Sequence, residues 1–236
     1  MGHKCFVSFK KEDDAYKDEL VKLFDEEDII DKTLDRVIES EDGDYIMQVI
    51  RDDYLKDSTV TICLIGTHSS ENEGYDWLGR HHNYFIIREL QASLYNGKNN
   101  TRNGVLGVVT PEMYDSIFQG TYTCSTCGGT HNCVKINDNT VIKEFSVNYY
   151  IEPHDGCAWS EDERYCILVK WDDFVENPEK YVDAAFDKRT APIAEKVKVA
   201  INYSPCSGGV ILVYCHLRSL LSSIRCSILF CEKMLC

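Results

Sequence analysis

Basic residues are scarce in this chain of 236 residues, where 25 lysines and arginines stand against 39 aspartates and glutamates. The resulting net charge of −14 repels phosphate backbones, so the composition disfavours a nucleic-acid partner. Solubility is the simplest role for this charge. An internal repeat is also absent.

A signal peptide is missing as well, because residues 1–9 contain no long apolar stretch. This absence predicts a cytoplasmic protein. The twelve cysteines are therefore expected to be reduced thiols or metal ligands rather than disulfides. Cys5 and Cys63 fall within predicted strands, where we expect them to act as small buried hydrophobic side chains.

Two nucleotide-related signals are also missing. No glycine-rich dinucleotide fingerprint follows the first predicted strand, residues 3–9, which disfavours a redox dinucleotide-binding role. The strand predicted at residues 58–66 leads into Thr67 and His68 without an aspartate. A receiver domain needs its phosphoacceptor aspartate at that point, so this class is disfavoured too.

What the chain does contain is an alternation of strands and helices. Apolar segments predict strands at residues 3–9, 29–30, 58–66, 105–109 and 165–171. Helical apolar stripes are centred on residues 16–24, 46–54 and 86–94. A last helix is predicted to begin near Pro178 and to carry Tyr181, Ala184, Ala185 and Ile193. Together they predict an α/β fold with a parallel sheet covered by helices on both faces.

Two segments fall outside this alternation. Residues 112–163 predict a small β-rich insertion within a domain that spans residues 1–200. Residues 201–236 form a cysteine-rich apolar tail that Arg218 and Arg225 interrupt. A membrane helix would carry each arginine at a cost of about 2.5 kcal/mol or more, so a membrane span is disfavoured. An extension without selected structure is the alternative for the tail.

Cysteines in the insertion form a possible metal motif. Cys124 and Cys127 make a Cys-x-x-Cys-Gly segment of the kind found in zinc turns. No second pair follows at zinc-ribbon spacing. The side chains available to complete four ligands are His131, Cys133, Cys157 and Cys166. Thiols without metal are the preferred interpretation, and a structural zinc is the alternative.

Glu89 is the leading candidate for chemistry. It follows the buried strand 58–66 and lies near the start of a helical segment. Open α/β sheets bind ligands beyond the carboxyl ends of their strands. Position alone is also typical of a solvated charge near a helix start. The neighbouring His81 and His82 are expected at the surface, because adjacent helical residues point apart and cannot share a metal.

Several segments match one known pattern. Residues 6–9 precede an acidic loop, and residues 31–51 and 58–66 supply a loop, a helix and a strand. Phe85 and Glu89 repeat a Trp-x-x-x-Glu pattern with phenylalanine in place of tryptophan. In these segments, and again at residues 171–178, the chain resembles the TIR proteins of the bacterial Thoeris anti-phage defence system.

That resemblance implies a flavodoxin-like fold with a five-stranded parallel sheet. It implies an enzyme that cleaves the nicotinamide–ribose bond of NAD, its substrate, and needs no further cofactor. The product would be an ADP-ribose-derived signal, cyclic or conjugated, that activates a separate defence effector. Glu89 would be the catalytic residue. The substrate-binding residues implied are Ser8, Phe9, Lys10 and Phe85.

The resemblance also implies partners. Residues 31–44 correspond to the family's BB loop, which helps to form a composite site between neighbouring subunits, so we expect self-association through TIR surfaces. An effector protein and a phage component acting as trigger are the other expected partners. A non-catalytic adaptor is the alternative function. Adaptors often lack the carboxylate that this chain keeps at Glu89.

Overall fold

The computed structural model describes residues 2–199 except 26–27, 31–33, 35, 41 and 98–100. The apolar tail at residues 201–236 therefore lies outside the described residues. Within the described part of the chain, none of the helices is both long enough and apolar enough to cross a bilayer.

Five parallel strands form the central sheet, in the order β2-β1-β3-β4-β7. These strands are β1 (Cys5–Ser8), β2 (Ile29–Ile30), β3 (Val60–Ile65), β4 (Gly104–Val109) and β7 (Ile167–Lys170). Numbered within the sheet alone, the order is 2-1-3-4-5, which is the flavodoxin-like arrangement. The predicted fold class is confirmed.

Helices cover both faces of the sheet, as predicted. The helices on the first face are α1 (Asp14–Val21), α6 (Trp171–Glu176) and α7 (Pro178–Asp187). Those on the second face are α2 (Gly43–Asp53), α3 (Tyr84–Leu94) and α5 (Lys143–Tyr149).

The strands are apolar on both faces because each face meets a helical layer. In β3, Ile62 and Leu64 pack in the cluster that contains α1, α6 and α7. Cys63 and Ile65 point the other way and pack with α3 and α5. Cys5 and Cys63 are both buried, which confirms their predicted role as core side chains.

Residues 112–163 leave the alternation but are only partly β-structured. After the short helix α4 (Tyr114–Ile117), β5 (Phe118–Thr123) and β6 (Thr130–Val134) form an antiparallel hairpin. The helix α5 then inserts Phe145 into the core that α3 occupies. The expected β-rich excursion is therefore half right, since its helical part completes the main core.

The last helix ends earlier than predicted. Pro178 occupies its first turn as expected, but α7 stops at Asp187. Ile193 lies instead in a separate 3-10 turn, Pro192–Lys196, and packs in the core beside α5. Pro192 lacks an N–H and disfavours helical geometry at the residue before it, so the helix cannot run through this point.

Gly104 allows α7 to approach the sheet closely. A Cβ at this position would overlap the carbonyl oxygen of Ala185, which is backbone and cannot rotate away. We expect Gly104→Ala to lower the free energy of unfolding by about 1–3 kcal/mol. Urea denaturation measures this loss. Gly2→Ala is the control, because a Cβ there meets nothing within 4 Å; equal midpoints for the two variants would contradict the close approach.

Candidate active site

A cavity of about 450 Å³ lies beyond the carboxyl end of β1. Small-molecule sites range over about 300–1,000 Å³, so its size suits a ligand. Its walls come from the loop after β1, from Leu34 after β2, and from residues 82–89 at the start of α3. The chain runs from β1 to β2 on one side and to β3 on the other, and flavodoxin-like sheets bind ligands at this switch point.

Glu89 forms the floor of this cavity. It is the sixth residue of α3, one turn deeper than the helix start expected from the sequence, and only 2% of it is exposed. Its Oε2 accepts a hydrogen bond from Ser8 Oγ at 2.7 Å. Its Oε1 accepts another from the Leu34 backbone N–H at 2.9 Å. Such burial rules out the solvated-charge interpretation.

The proton affinity of Glu89 is unusual. Burial raises its pKa to about 7, and the hydrogen bonds from Leu34 and Ser8 lower that pKa in part. Desolvation acts against the charged form, while donors to a carboxylate favour it. The carboxyl group is therefore partly protonated near neutral pH, and its charge depends on the two donors that hold it.

The other predicted site residues lie around this carboxyl group. Phe9, Lys10 and Phe85 line the same cavity, and Phe85 precedes Glu89 by one helical turn. Lys10 Nζ donates to the carbonyl oxygen of His82 at 3.1 Å and so ties the loop after β1 to the start of α3. Ser8 is fully buried and does not line the cavity; its hydroxyl reaches Glu89 instead.

Leu34 is the site residue that sequence reasoning missed. It contributes a backbone N–H, and a backbone donor leaves no mark on the identity of the side chain. Leu34 lies in residues 31–44, the loop that the resemblance assigns to a composite site between subunits, and it contacts Glu89 of its own chain. His82 and Ile86 also line the cavity and carry no sequence signal that would have singled them out.

His81 departs from the surface position expected for it. Only 8% of it is exposed. Its Nδ1 accepts the backbone N–H of Asn83 at 2.9 Å, and its Nε2 lies 2.6 Å from the carbonyl oxygen of Glu71. His81 and His82 precede α3 instead of lying on it, so an expectation based on adjacent helical residues does not apply to them. His82 is exposed, as expected.

A second buried carboxyl group lies close by but outside the cavity. Glu144 of α5 accepts a hydrogen bond from Gln91 Nε2 at 2.7 Å, and Arg88 donates to Gln91 Oε1 at 2.9 Å. Burial raises the pKa of Glu144 to about 7, against the lowering effect of Gln91. Glu144 therefore matches Glu89 in burial and proton affinity without lining the cavity.

Comparison with known protein families agrees with this geometry. The family model described as Thoeris protein ThsB, TIR-like domain, matches residues 6–111. Residues 6–111 are a Thoeris TIR-like domain. The matched range holds all of β1 except Cys5, the strands β2 to β4, the helix α3 and every predicted catalytic and substrate-binding residue, and it ends where the insertion begins. Residues 171–178, which also resemble the family, lie beyond it. The protein thus contains a TIR-like domain of a defence-related family.

Glu89→Gln is expected to stabilise the TIR-like domain strongly at pH 8 and much less at pH 5. The folded pKa of about 7 lies above the ordinary value of 4.5. The carboxyl group therefore contributes stability that is fully present below pH 4.5 and is lost as pH rises through 7. Glutamine avoids that loss, which amounts to about 3 kcal/mol. Thermal denaturation at pH 5, 6.5 and 8 measures it.

Glu144→Gln is the matched control for this measurement. It removes a carboxyl group of similar burial and pKa, so the same gain at pH 8 is expected. A gain in Glu144→Gln without one in Glu89→Gln would show that Glu89 is not held in the buried state described above.

Proposed function

We propose that the TIR-like domain cleaves the bond between nicotinamide and ribose in NAD, with Glu89 as the catalytic residue. The observation that supports this most is a buried carboxyl group at the floor of a ligand-sized cavity at the switch point of the sheet. Two phenylalanines and two lysines line the same cavity. These are the groups needed to hold a planar ring, a sugar and a diphosphate together.

The reaction needs one negative charge in a fixed place. When the bond between ribose C1′ and the nicotinamide nitrogen breaks, its electron pair goes to the ring, which leaves neutral. The sugar becomes an oxocarbenium-like cation until a water or another nucleophile bonds to C1′ and loses a proton. A preorganised carboxylate stabilises this cation electrostatically. The leaving group needs little protonation, so a single carboxylate suffices where glycosidases use two.

Glu89 keeps room for substrate although both of its oxygens are already bonded. A carboxylate has about four acceptor positions, and Ser8 and Leu34 occupy two of them. Ribose hydroxyl groups would donate to the remaining lone pairs, and these bonds would strengthen as positive charge develops on the sugar. Ser8 acts on the substrate through Glu89, as a positioning residue.

The other cavity residues fit the remaining parts of NAD. Phe9 and Phe85 offer aromatic faces for a planar ring. Lys10 would bring a point charge to the diphosphate. Its ammonium group now donates to the neutral carbonyl oxygen of His82, and a diphosphate oxygen would be a stronger, charged acceptor.

The products would be nicotinamide and an ADP-ribose-derived signal, cyclic or conjugated, made in the cytoplasm. This signal would activate a separate effector protein, and a phage component would trigger its production. Self-association through TIR surfaces would place residues 31–44 against a neighbouring subunit. Leu34 lies in this loop and donates to Glu89, so assembly would act directly on the catalytic group.

A non-catalytic adaptor is the second candidate. It is favoured by the fact that both oxygens of Glu89 already accept hydrogen bonds from the protein. In that case Glu89 would join β1, the loop after β2 and α3, and the cavity would bind no NAD.

NAD cleavage is tested by incubating the purified chain with NAD, with and without extract of phage-infected cells, and measuring nicotinamide by chromatography. We expect release by the wild type and at least a 100-fold lower rate for Glu89→Gln, about the loss caused by removing one electrostatic contact to a transition state. Glu144→Gln should match the wild type, because Glu144 does not line the cavity.

If the wild type and Glu89→Gln released nicotinamide at the same rate, residues other than Glu89 would carry out the cleavage. If neither the wild type nor Glu89→Gln released nicotinamide under any trigger, the result would favour the non-catalytic adaptor.

Ser8→Ala tests how the charge of Glu89 is controlled. The hydrogen bond from Ser8 lowers the pKa of Glu89, so its removal should raise that pKa above 7. Wild-type kcat/KM should rise with pH through about 7, because only the ionised carboxylate stabilises the cation. In Ser8→Ala the rise should begin at higher pH, with low activity at pH 7 and recovery at alkaline pH. A profile that is lower throughout but unshifted would contradict the coupling.

A further inference from the structure

The insertion brings together four side chains that the proposed NAD chemistry does not use. Cys124 and Cys127 lie in the turn between β5 and β6, His131 lies on β6, and Cys157 lies in the segment between α5 and β7. Their ligand atoms all lie within 4.8 Å of one another. We propose that these four residues bind one zinc ion, which fixes the β5–β6 hairpin to the segment that carries Cys157.

The distances suit tetrahedral coordination. Bonds of about 2.3 Å from zinc to sulfur and about 2.0 Å to nitrogen place neighbouring ligand atoms about 3.5–3.8 Å apart. His131 Nε2 lies 3.1 Å from Cys127 Sγ and 3.4 Å from Cys157 Sγ. The Sγ atoms of Cys124, Cys127 and Cys157 also lie within 4.8 Å of one another. Small shifts of the four side chains would bring all ligand atoms to bonding distance.

The backbone of the turn is shaped as a metal-binding turn. The Gly128 N–H donates to the Cys124 carbonyl oxygen at 2.8 Å, and the Cys124 N–H donates to the Gly129 carbonyl oxygen at 2.8 Å. Gly128 has a φ of +71°, which glycine adopts without strain. The Gly129 N–H also points at Cys127 Sγ, 3.4 Å away, and such outer hydrogen bonds support a metal-bound thiolate.

The geometry also chooses among the candidates that the sequence left open. Cys133 lies two residues from His131 on β6, about 7 Å further along the strand, and is not part of the cluster. Cys166 is buried in the main core. Three cysteines and one histidine therefore form the set, a donor combination typical of structural zinc. All four positions are filled by protein, so the ion would have no open position for catalysis.

The β5–β6 hairpin has few buried contacts that could stabilise it without a metal. Neither β5 nor β6 contains a buried residue. Its base meets the main core through the half-buried Phe118 and Val134, but a two-stranded hairpin is at best marginally stable in water by itself. Besides the turn, its contacts include the Tyr150 hydroxyl, which donates to the Val134 carbonyl oxygen at 2.5 Å. Zinc would add the missing free energy at the far end, because structural zinc contributes directly to folding.

Metal analysis tests this site. The full chain is purified under reducing conditions without added metal, and its zinc content is measured by mass spectrometry. We expect one zinc per chain in the wild type and loss of most of it in Cys127→Ser and Cys157→Ser. Cys133→Ser is the matched control. It should keep the metal, because Cys133 lies on β6 beside His131 but outside the cluster.

A second measurement does not depend on how the variants fold. Zinc is removed from the wild type with a chelator, which should lower its thermal denaturation temperature, and cobalt(II) is then added. Cobalt should give the visible absorption of tetrahedral thiolate coordination in the wild type and in Cys133→Ser. Glu89→Gln should bind metal normally, so the outcome is independent of NAD cleavage.

The proposal is overturned by a wild type that neither contains zinc nor takes up cobalt. It is also overturned by zinc that remains in both Cys127→Ser and Cys157→Ser, or that is lost equally from Cys133→Ser.

Discussion

The burial of one carboxyl group is the constraint on which the site depends. Water would favour the ionised form of Glu89, and in its place the described residues offer two donors, one from the end of β1 and one from the loop after β2. The sheet, the loop and α3 must all be in position for the group to carry a charge. The pKa of Glu89, about 7, therefore depends on Ser8 and Leu34, although the three residues are far apart in the chain.

The insertion takes part in this arrangement although it lies beyond the matched family range. Its helix α5 packs Phe145 against the core under α3, and Glu144 joins α3 through Gln91. The helix that carries Glu89 is therefore held on one side by the sheet and on the other by the insertion. The hairpin extends from the same segment, and the proposed zinc site would fix its outer end. The packing of α3 therefore depends on the insertion as well as on the sheet.

The parts of the structure that sequence could predict are those governed by strong local patterns. Strands apolar on both faces, such as β3, specify a covered parallel sheet. The position of Glu89 after β3 made it a candidate, and the resemblance to the Thoeris TIR proteins made it the leading one. The contacts that were missed depend on atoms or distances that the sequence does not encode. Leu34 acts through its backbone, and His81 was assigned to a helix that begins only at Tyr84. Cys157 meets Cys127 only after α5 has docked, because 30 residues separate them along the chain.

The hydrogen bond from Leu34 to Glu89 links the position of a surface loop to proton exchange. Donors to a carboxylate hold its proton affinity down, so withdrawal of Leu34 must be accompanied by proton uptake near neutral pH. Thermodynamic reciprocity then requires that acidification loosen the hold on the loop and that alkalinity tighten it. A neighbouring molecule that binds this loop would therefore change the protonation of Glu89, and a change in pH would change the position of the loop.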